Sequence, residues 1–176
     1  MNLASYTSLI RILLIVPILY SINSLEYYLA LVLFLVAGLT DYLDGYIARK
    51  TKTETSLGAF LDLLADKLLV CLVLVWCAFF SYKMVIIVPS LVILSRELII
   101  SSMRQFLVEK TGKNPVKVTY IAKSKTTIQI IAISFLILSP EMGELFNKIA
   151  LLLIWLAALI SVYTMINYLK SYKNYF

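Results

Sequence analysis

Asp41-Tyr42-Leu43-Asp44-Gly45-Tyr46-Ile47-Ala48-Arg49 and, after a short polar stretch, Gly58-Ala59-Phe60-Leu61-Asp62-Leu63-Leu64-Ala65-Asp66 decide how this chain folds. The first string closes an apolar run that opens at Tyr27; the second begins a run that continues to about Phe80. Roughly 20 mostly apolar residues in a helix cross a bilayer. Four of the ten acidic residues therefore stand at the embedded ends of two spans. A charge in lipid costs roughly 2.5–3.5 kcal/mol, so four uncompensated carboxylates would cost about 10 or more. They must face protein or a polar cavity, and they need counter-charge.

The rest of the chain supports a membrane setting. It has 176 residues, of which 61% are hydrophobic and 15% charged. Soluble domains average about 45–50% apolar and about 25% charged. Six hydrophobic segments are read: about 9–21, 27–47, 58–80, 84–107, 125–138 and 145–169. The expected fold is all-α and integral to the membrane, with six transmembrane helices. Residues 1–176 form one membrane domain in this reading. The start, Met1 to Tyr6, has no basic region or cleavage site of the kind a secretory signal carries. It is expected to be retained as a short N-terminal interfacial helix. The first span is short, so those residues must help it or the bilayer must thin.

Charge alternates between loops. Arg49, Lys50 and Lys52, then Arg104, Lys110, Lys113, Lys117 and Lys123, then Lys170 and Lys173 fall on one side; Lys83, Lys148, Glu26, Glu141 and Glu144 fall on the other. The positive-inside rule puts the first set, and both termini, in the cytoplasm. The same asymmetry accounts for the net charge of +6 without nucleic acid, since no basic patch sits on a soluble face. Cys71 and Cys77, six residues apart in one apolar run, are too far apart along a helix for a disulfide. With no histidine in the chain they make no plausible zinc site.

Spacing gathers the acids. Asp41 and Asp44 are three apart and Asp62 and Asp66 four apart, so each pair shares a helix face. A short loop joins the two helices, which are expected to pack antiparallel with those faces meeting near the cytoplasmic surface. Only Arg49 and Lys67 are close in sequence, too little to neutralise four carboxylates. Divalent cations are the economical answer, and an all-oxygen site favours Mg²⁺, Mn²⁺ or Ca²⁺ over zinc. Two such ions bridged by carboxylates serve phosphoryl chemistry elsewhere. Gly45 and Gly58 leave room for a ligand close to the backbone, or for a neighbouring helix.

The full string resembles the signature of the CDP-alcohol phosphotransferase family, Asp-x2-Asp-Gly-x2-Ala-Arg-x8-Gly-x3-Asp-x3-Asp. Asp41, Asp44, Gly45, Ala48, Arg49, Gly58, Asp62 and Asp66 fill every fixed position. The resemblance implies a six-helix fold, usually a homodimer, with its site open to the cytoplasmic leaflet of the bacterial inner membrane. It implies that Asp41, Asp44, Asp62 and Asp66 hold two metal ions, Mg²⁺ or Mn²⁺, around the diphosphate of CDP-diacylglycerol. Gly45, Arg49 and Gly58 would contact the nucleotide, and Asp66 would also be the base that activates the acceptor hydroxyl.

The acceptor must be read outside the signature. Arg96, beside Glu97, sits near the middle of the fourth span, and an intramembrane arginine is a functional candidate by default. The bland alternative is an Arg96–Glu97 ion pair, although adjacent helical residues point about 100° apart and pair poorly. Arg104 lies on roughly the same face and serves equally well as an inside-positive anchor. Lys123 and Lys125 open the fifth span, where snorkelling would satisfy either. Together Arg96, Arg104, Lys123 and Lys125 could bind a phosphate carried by the acceptor. Asn2-Leu3 with Thr7 and Arg11, Ser95 to Ser101, Val116 to Val118 and Lys123 to Thr126 resemble the phosphatidylglycerophosphate synthase branch of the family. Ala4 and Tyr6 depart from that branch, which tends to have Pro and an aliphatic residue there. The branch implies sn-glycerol 3-phosphate as acceptor. The alternatives are a cardiolipin synthase of the same fold using phosphatidylglycerol, synthases acting on inositol phosphate or serine, and, from another class, a cation transporter or an inactive scaffold. A transporter reading explains the aspartates but not the Gly and Arg positions, and no pair of broken helices appears.

Overall fold

Six helices make up nearly all of the chain that the computed structural model describes, which comprises residues 3–51, 56–81, 83–111 and 120–172. They are α1 (Leu3–Asn23), α2 (Tyr27–Thr51), α3 (Ser56–Ser81), α4 (Met84–Thr111), α5 (Tyr120–Leu138) and α6 (Glu144–Tyr172). No strand occurs among the described residues. Within α1, α3, α4 and α6 the stretches Tyr6–Asn23, Phe60–Ser81, Met84–Lys110 and Glu144–Ser171 are long and apolar enough to cross a bilayer. Helices α2 and α5 contribute the shorter apolar stretches Tyr27–Thr40 and Lys125–Leu138. The entry segment is helical and leads straight into the first span. From Leu3 it runs unbroken into α1, because no Gly or Pro interrupts the helix before Pro17.

Each helix buries one stripe and shows lipid the rest. Ile15, Ile18 and Ile22 on α1, Ala30, Phe34 and Ala37 on α2, and Leu69, Val73 and Cys77 on α3 recur at helical spacing in the core. Alanines at Ala30, Ala37, Ala132, Ala150 and Ala157 are fully buried, which lets backbones approach closely as membrane helices require. Leu13, Val16, Val32, Leu91, Leu152 and Leu159 point outward, an apolar exterior that only a lipid solvent tolerates.

Two local devices shape the scaffold. Pro89 inside α4 cannot donate to the Val85 carbonyl one turn earlier, and Trp155 on α6 supplies the missing donor, Nε1 to O at 3.0 Å. The α1–α2 turn closes with Leu25 at φ 63°, Glu26 N donating to Ser21 O at 2.9 Å and Leu25 N donating to Ile22 O at 3.2 Å. That is a Schellman cap, built here on a leucine where glycine would be unstrained.

The end of α2 that carries Asp41 and Asp44 has its side chains outside the described residues, and the expected meeting of the two aspartate faces lies outside them too. Among the described residues α2 and α3 touch only lightly, while α1 packs broadly against both, and α5 also contacts both. Helices α4 and α5 each pack against α6.

Candidate functional site

Two charged regions of opposite sign emerge. The acidic one rests on α3. Asp62 and Asp66, one turn apart, are both partly exposed, and Gly58, a turn earlier on the same face, is buried. The countercharge for Asp62 comes from a helix that sequence spacing does not suggest. Arg11 on α1, 0% exposed, places Nη1 3.3 Å from Asp62 Oδ1, while the Asp62 side chain remains 46% exposed. A carboxylate has about four acceptor positions, so one guanidinium contact leaves Asp62 able to take a cation. The donors are all oxygen and partly open, which fits a hard divalent ion. Among the described residues no group of three or more potential metal ligands is complete. The side chains of Asp41 and Asp44, and those of Gly45 and Arg49, lie outside the described residues, although all four positions fall on α2.

The basic region lies between α4, α5 and α6. Glu97 is its centre. Lys125 Nζ forms an ion pair with Glu97 Oε1. Arg96 Nη1 reaches the same oxygen at 3.3 Å, and Gln129 Nε2 at 3.5 Å. Arg96 Nη2 donates to Thr164 Oγ1 at 3.1 Å, and its guanidinium lies 6.0 Å from the Tyr168 ring centroid. Gln129 also donates to Ser161 Oγ at 3.1 Å. Arg96, Lys125, Gln129, Ser161 and Thr164 are all at least 95% buried. Adjacent helical residues are expected to pair poorly, yet Arg96 and Glu97 do meet. The long guanidinium stem bends toward a carboxylate that α5 holds from the other side.

The two regions are neighbours. Asp66 lies within electrostatic reach of Lys67 and of Lys125, and Glu97 within reach of Lys67. Lys67 Nζ donates to Ser101 Oγ, tying α3 to α4. Arg104 is also within electrostatic reach of Lys67, and its Nε is buried with no hydrogen-bond partner among the described residues. The structure thus brings Arg96 and Lys125 together and sets Arg104 near Lys67. Lys123 lies on α5 by its backbone, but its side chain is outside the described residues. Cys71 and Cys77 are free.

Sequence reasoning gives no role to Arg11 beyond the resemblance and reads Glu97 only as a possible partner of Arg96. The rule that singles out Arg96 applies to both, since each is an ionisable residue inside an apolar helix.

Comparison with known proteins fits this arrangement. The sequence profile of the CDP-alcohol phosphatidyltransferase family matches residues 1–163. A Rickettsia typhi protein is 39% identical over 180 residues, covering 99% of this chain and 99% of the relative. A Haemophilus influenzae protein is 35% identical over 147 residues, covering 84% of this chain and 78% of the relative. An Escherichia coli protein is 32% identical over 173 residues, covering 97% of this chain and 94% of the relative. All three are named CDP-diacylglycerol–glycerol-3-phosphate 3-phosphatidyltransferase. A helical membrane chain with intramembrane carboxylates beside a basic cluster, matched by that profile over nearly all its length, belongs to the CDP-alcohol phosphatidyltransferase family.

Proposed function

We propose that this chain transfers the phosphatidyl group of CDP-diacylglycerol to sn-glycerol 3-phosphate, giving phosphatidylglycerophosphate and CMP. The observation that carries the reading is the buried Arg96–Glu97–Lys125 cluster beside α3, where Lys67, next to Asp66, donates to Ser101 one turn from Glu97 on α4. A carboxylate able to take a proton then neighbours a cationic cluster able to hold a phosphate. A phosphorylated alcohol suits both at once, its hydroxyl toward Asp66 and its phosphate toward Lys125 and Arg104. The names of the three relatives point to the same acceptor.

In this reading the acceptor oxygen replaces CMP on the phosphatidyl phosphorus, the diphosphate bond breaks, and the hydroxyl proton passes to Asp66. Asp41, Asp44, Asp62 and Asp66 would hold two divalent ions, Mg²⁺ or Mn²⁺. Bound there, these would offset the diphosphate charge and make CMP a better leaving group. Gly45, Arg49 and Gly58 would contact the nucleotide. Arg96, with both terminal nitrogens engaged by protein, serves the pocket by fixing Glu97 against α5. Lys123, at the same end of α5, would add to the phosphate's anchorage. Residues 1–176 would act as one membrane domain in a homodimer in the bacterial inner membrane. The Lys and Arg asymmetry supports a site facing the cytoplasm with both termini on that side.

The test is an acceptor comparison in defined lipid, with purified protein, CDP-diacylglycerol and Mg²⁺ or Mn²⁺. Labelled sn-glycerol 3-phosphate should be incorporated, while phosphatidylglycerol, serine and inositol phosphate should not. Use of phosphatidylglycerol in its place would make the chain a cardiolipin synthase.

A further inference from the structure

The phosphate-binding cations proposed above are not idle in the structure. Lys125 is already paired with Glu97, whose Oε1 also receives Arg96 and Gln129. Three donors thus converge on one oxygen, and all three come from residues at least 95% buried. Among the described residues Arg96 and Lys125 share one carboxylate, Glu97, and Lys67 stands within reach of Glu97, Asp66 and Arg104, so positive charge is in excess there. Arg96 Nε and Arg104 Nε are both buried with no hydrogen-bond partner among the described residues. Buried cationic donors without acceptors are costly, and an incoming dianion would relieve them.

We propose that Glu97 is a built-in stand-in for the acceptor's phosphate: it holds Lys125 while the pocket waits, and yields it when a phosphate-bearing alcohol binds. The geometry allows the exchange without stranding Glu97. When Lys125 turns to the phosphate, Arg96 Nη1 at 3.3 Å and Gln129 Nε2 at 3.5 Å remain on Oε1. Arg96 stays anchored by Thr164 at 3.1 Å, and Gln129 by Ser161 at 3.1 Å. Those two residues are positioning residues that keep the displaced carboxylate compensated. The arrangement also discriminates. A neutral alcohol offers nothing to draw Lys125 away from a carboxylate, whereas a phosphate competes with it directly. Glu97 therefore weakens the binding of every anion and leaves only strong ones able to enter.

This inference rests on the acceptor reading above, and the experiment separates the two. Binding of sn-glycerol 3-phosphate and of inorganic phosphate is measured by calorimetry on the full chain in lipid nanodiscs, for the wild type, Glu97→Gln, Glu97→Asp and Lys125→Met. Glu97→Gln frees Lys125 and should tighten both ligands by about tenfold, the worth of one charged hydrogen bond. Glu97→Asp keeps the charge, and with it the folding countercharge, but draws the carboxylate back by one methylene; it should tighten both by a few-fold. Affinity for CDP-diacylglycerol should be unchanged in each. Unchanged or weaker phosphate binding in the two Glu97 variants, with wild-type binding lost in Lys125→Met, would overturn the stand-in and leave the acceptor pocket intact. Absence of binding in the wild type, or full binding in Lys125→Met, would remove the pocket itself.

Discussion

The acidic edge of α3 and the basic seam of α4, α5 and α6 are built on one plan with the signs reversed. The acidic edge carries a buried cation, Arg11, set 3.3 Å from Asp62. The basic seam carries a carboxylate, Glu97, set among Arg96, Lys125 and Gln129. They differ in wetness. Asp62 remains 46% exposed while the Glu97 side chain is 15% exposed. The open side suits ions that arrive with water, and the closed side suits an anion that must shed it. Each region thus holds a countercharge of its own, and that is how a chain of apolar helices keeps ionised groups in place.

The comparison breaks most sharply at Asp66. Asp66→Asn removes the proposed proton acceptor and should lower turnover by about 10²–10⁴-fold, the usual contribution of general base catalysis. Binding of CDP-diacylglycerol, followed by calorimetry, should persist. Near-normal turnover would show that the acidic edge only binds. On the basic side, Lys125→Met should raise the KM for sn-glycerol 3-phosphate by about tenfold to a hundredfold, the loss of one charge-assisted contact, and leave that for CDP-diacylglycerol almost unchanged. An equal rise in both would assign Lys125 to the scaffold.

A smaller effect tests the countercharge of the open side. In a double-mutant cycle of Arg11→Met and Asp62→Asn, read by chemical unfolding in detergent, the pair should couple by about 1 kcal/mol. The half-exposed carboxylate argues against a larger figure, because water already screens it. Additivity would show that Arg11 is held by other contacts. A last effect, of similar size, concerns the α4–α6 seam that presents Arg96 to Thr164. Trp155→Phe should destabilise by about 1 kcal/mol, since it strands the Val85 carbonyl. In a Pro89→Ala background that cost should vanish, because the alanine's backbone N–H restores the helix donor to the same oxygen.

Much of this is legible without coordinates. The six apolar runs, the aspartate spacing and the intramembrane Arg96 follow from the cost of charge in lipid and from helix periodicity. The helical entry segment is legible too, since Leu3 to Ser8 contain nothing that stops a helix. The pairing of Arg11 with Asp62 is beyond spacing arguments, because 51 positions separate them and only the packing of α1 on α3 joins them. Nor does sequence order say that α1 packs broadly against both α2 and α3. Glu97 is visible but easily undervalued, since its partners on α5 lie 28 and 32 residues away.

Transfer in this reading requires the acidic edge to activate a donor that the basic seam matches with a phosphorylated acceptor. CMP release from CDP-diacylglycerol should be followed in defined lipid while sn-glycerol 3-phosphate and divalent metal are each added and withdrawn. Release should require both, with one CMP formed for each phosphatidylglycerophosphate. Rapid release without the acceptor, or equal release when glycerol replaces its phosphate ester, would contradict it.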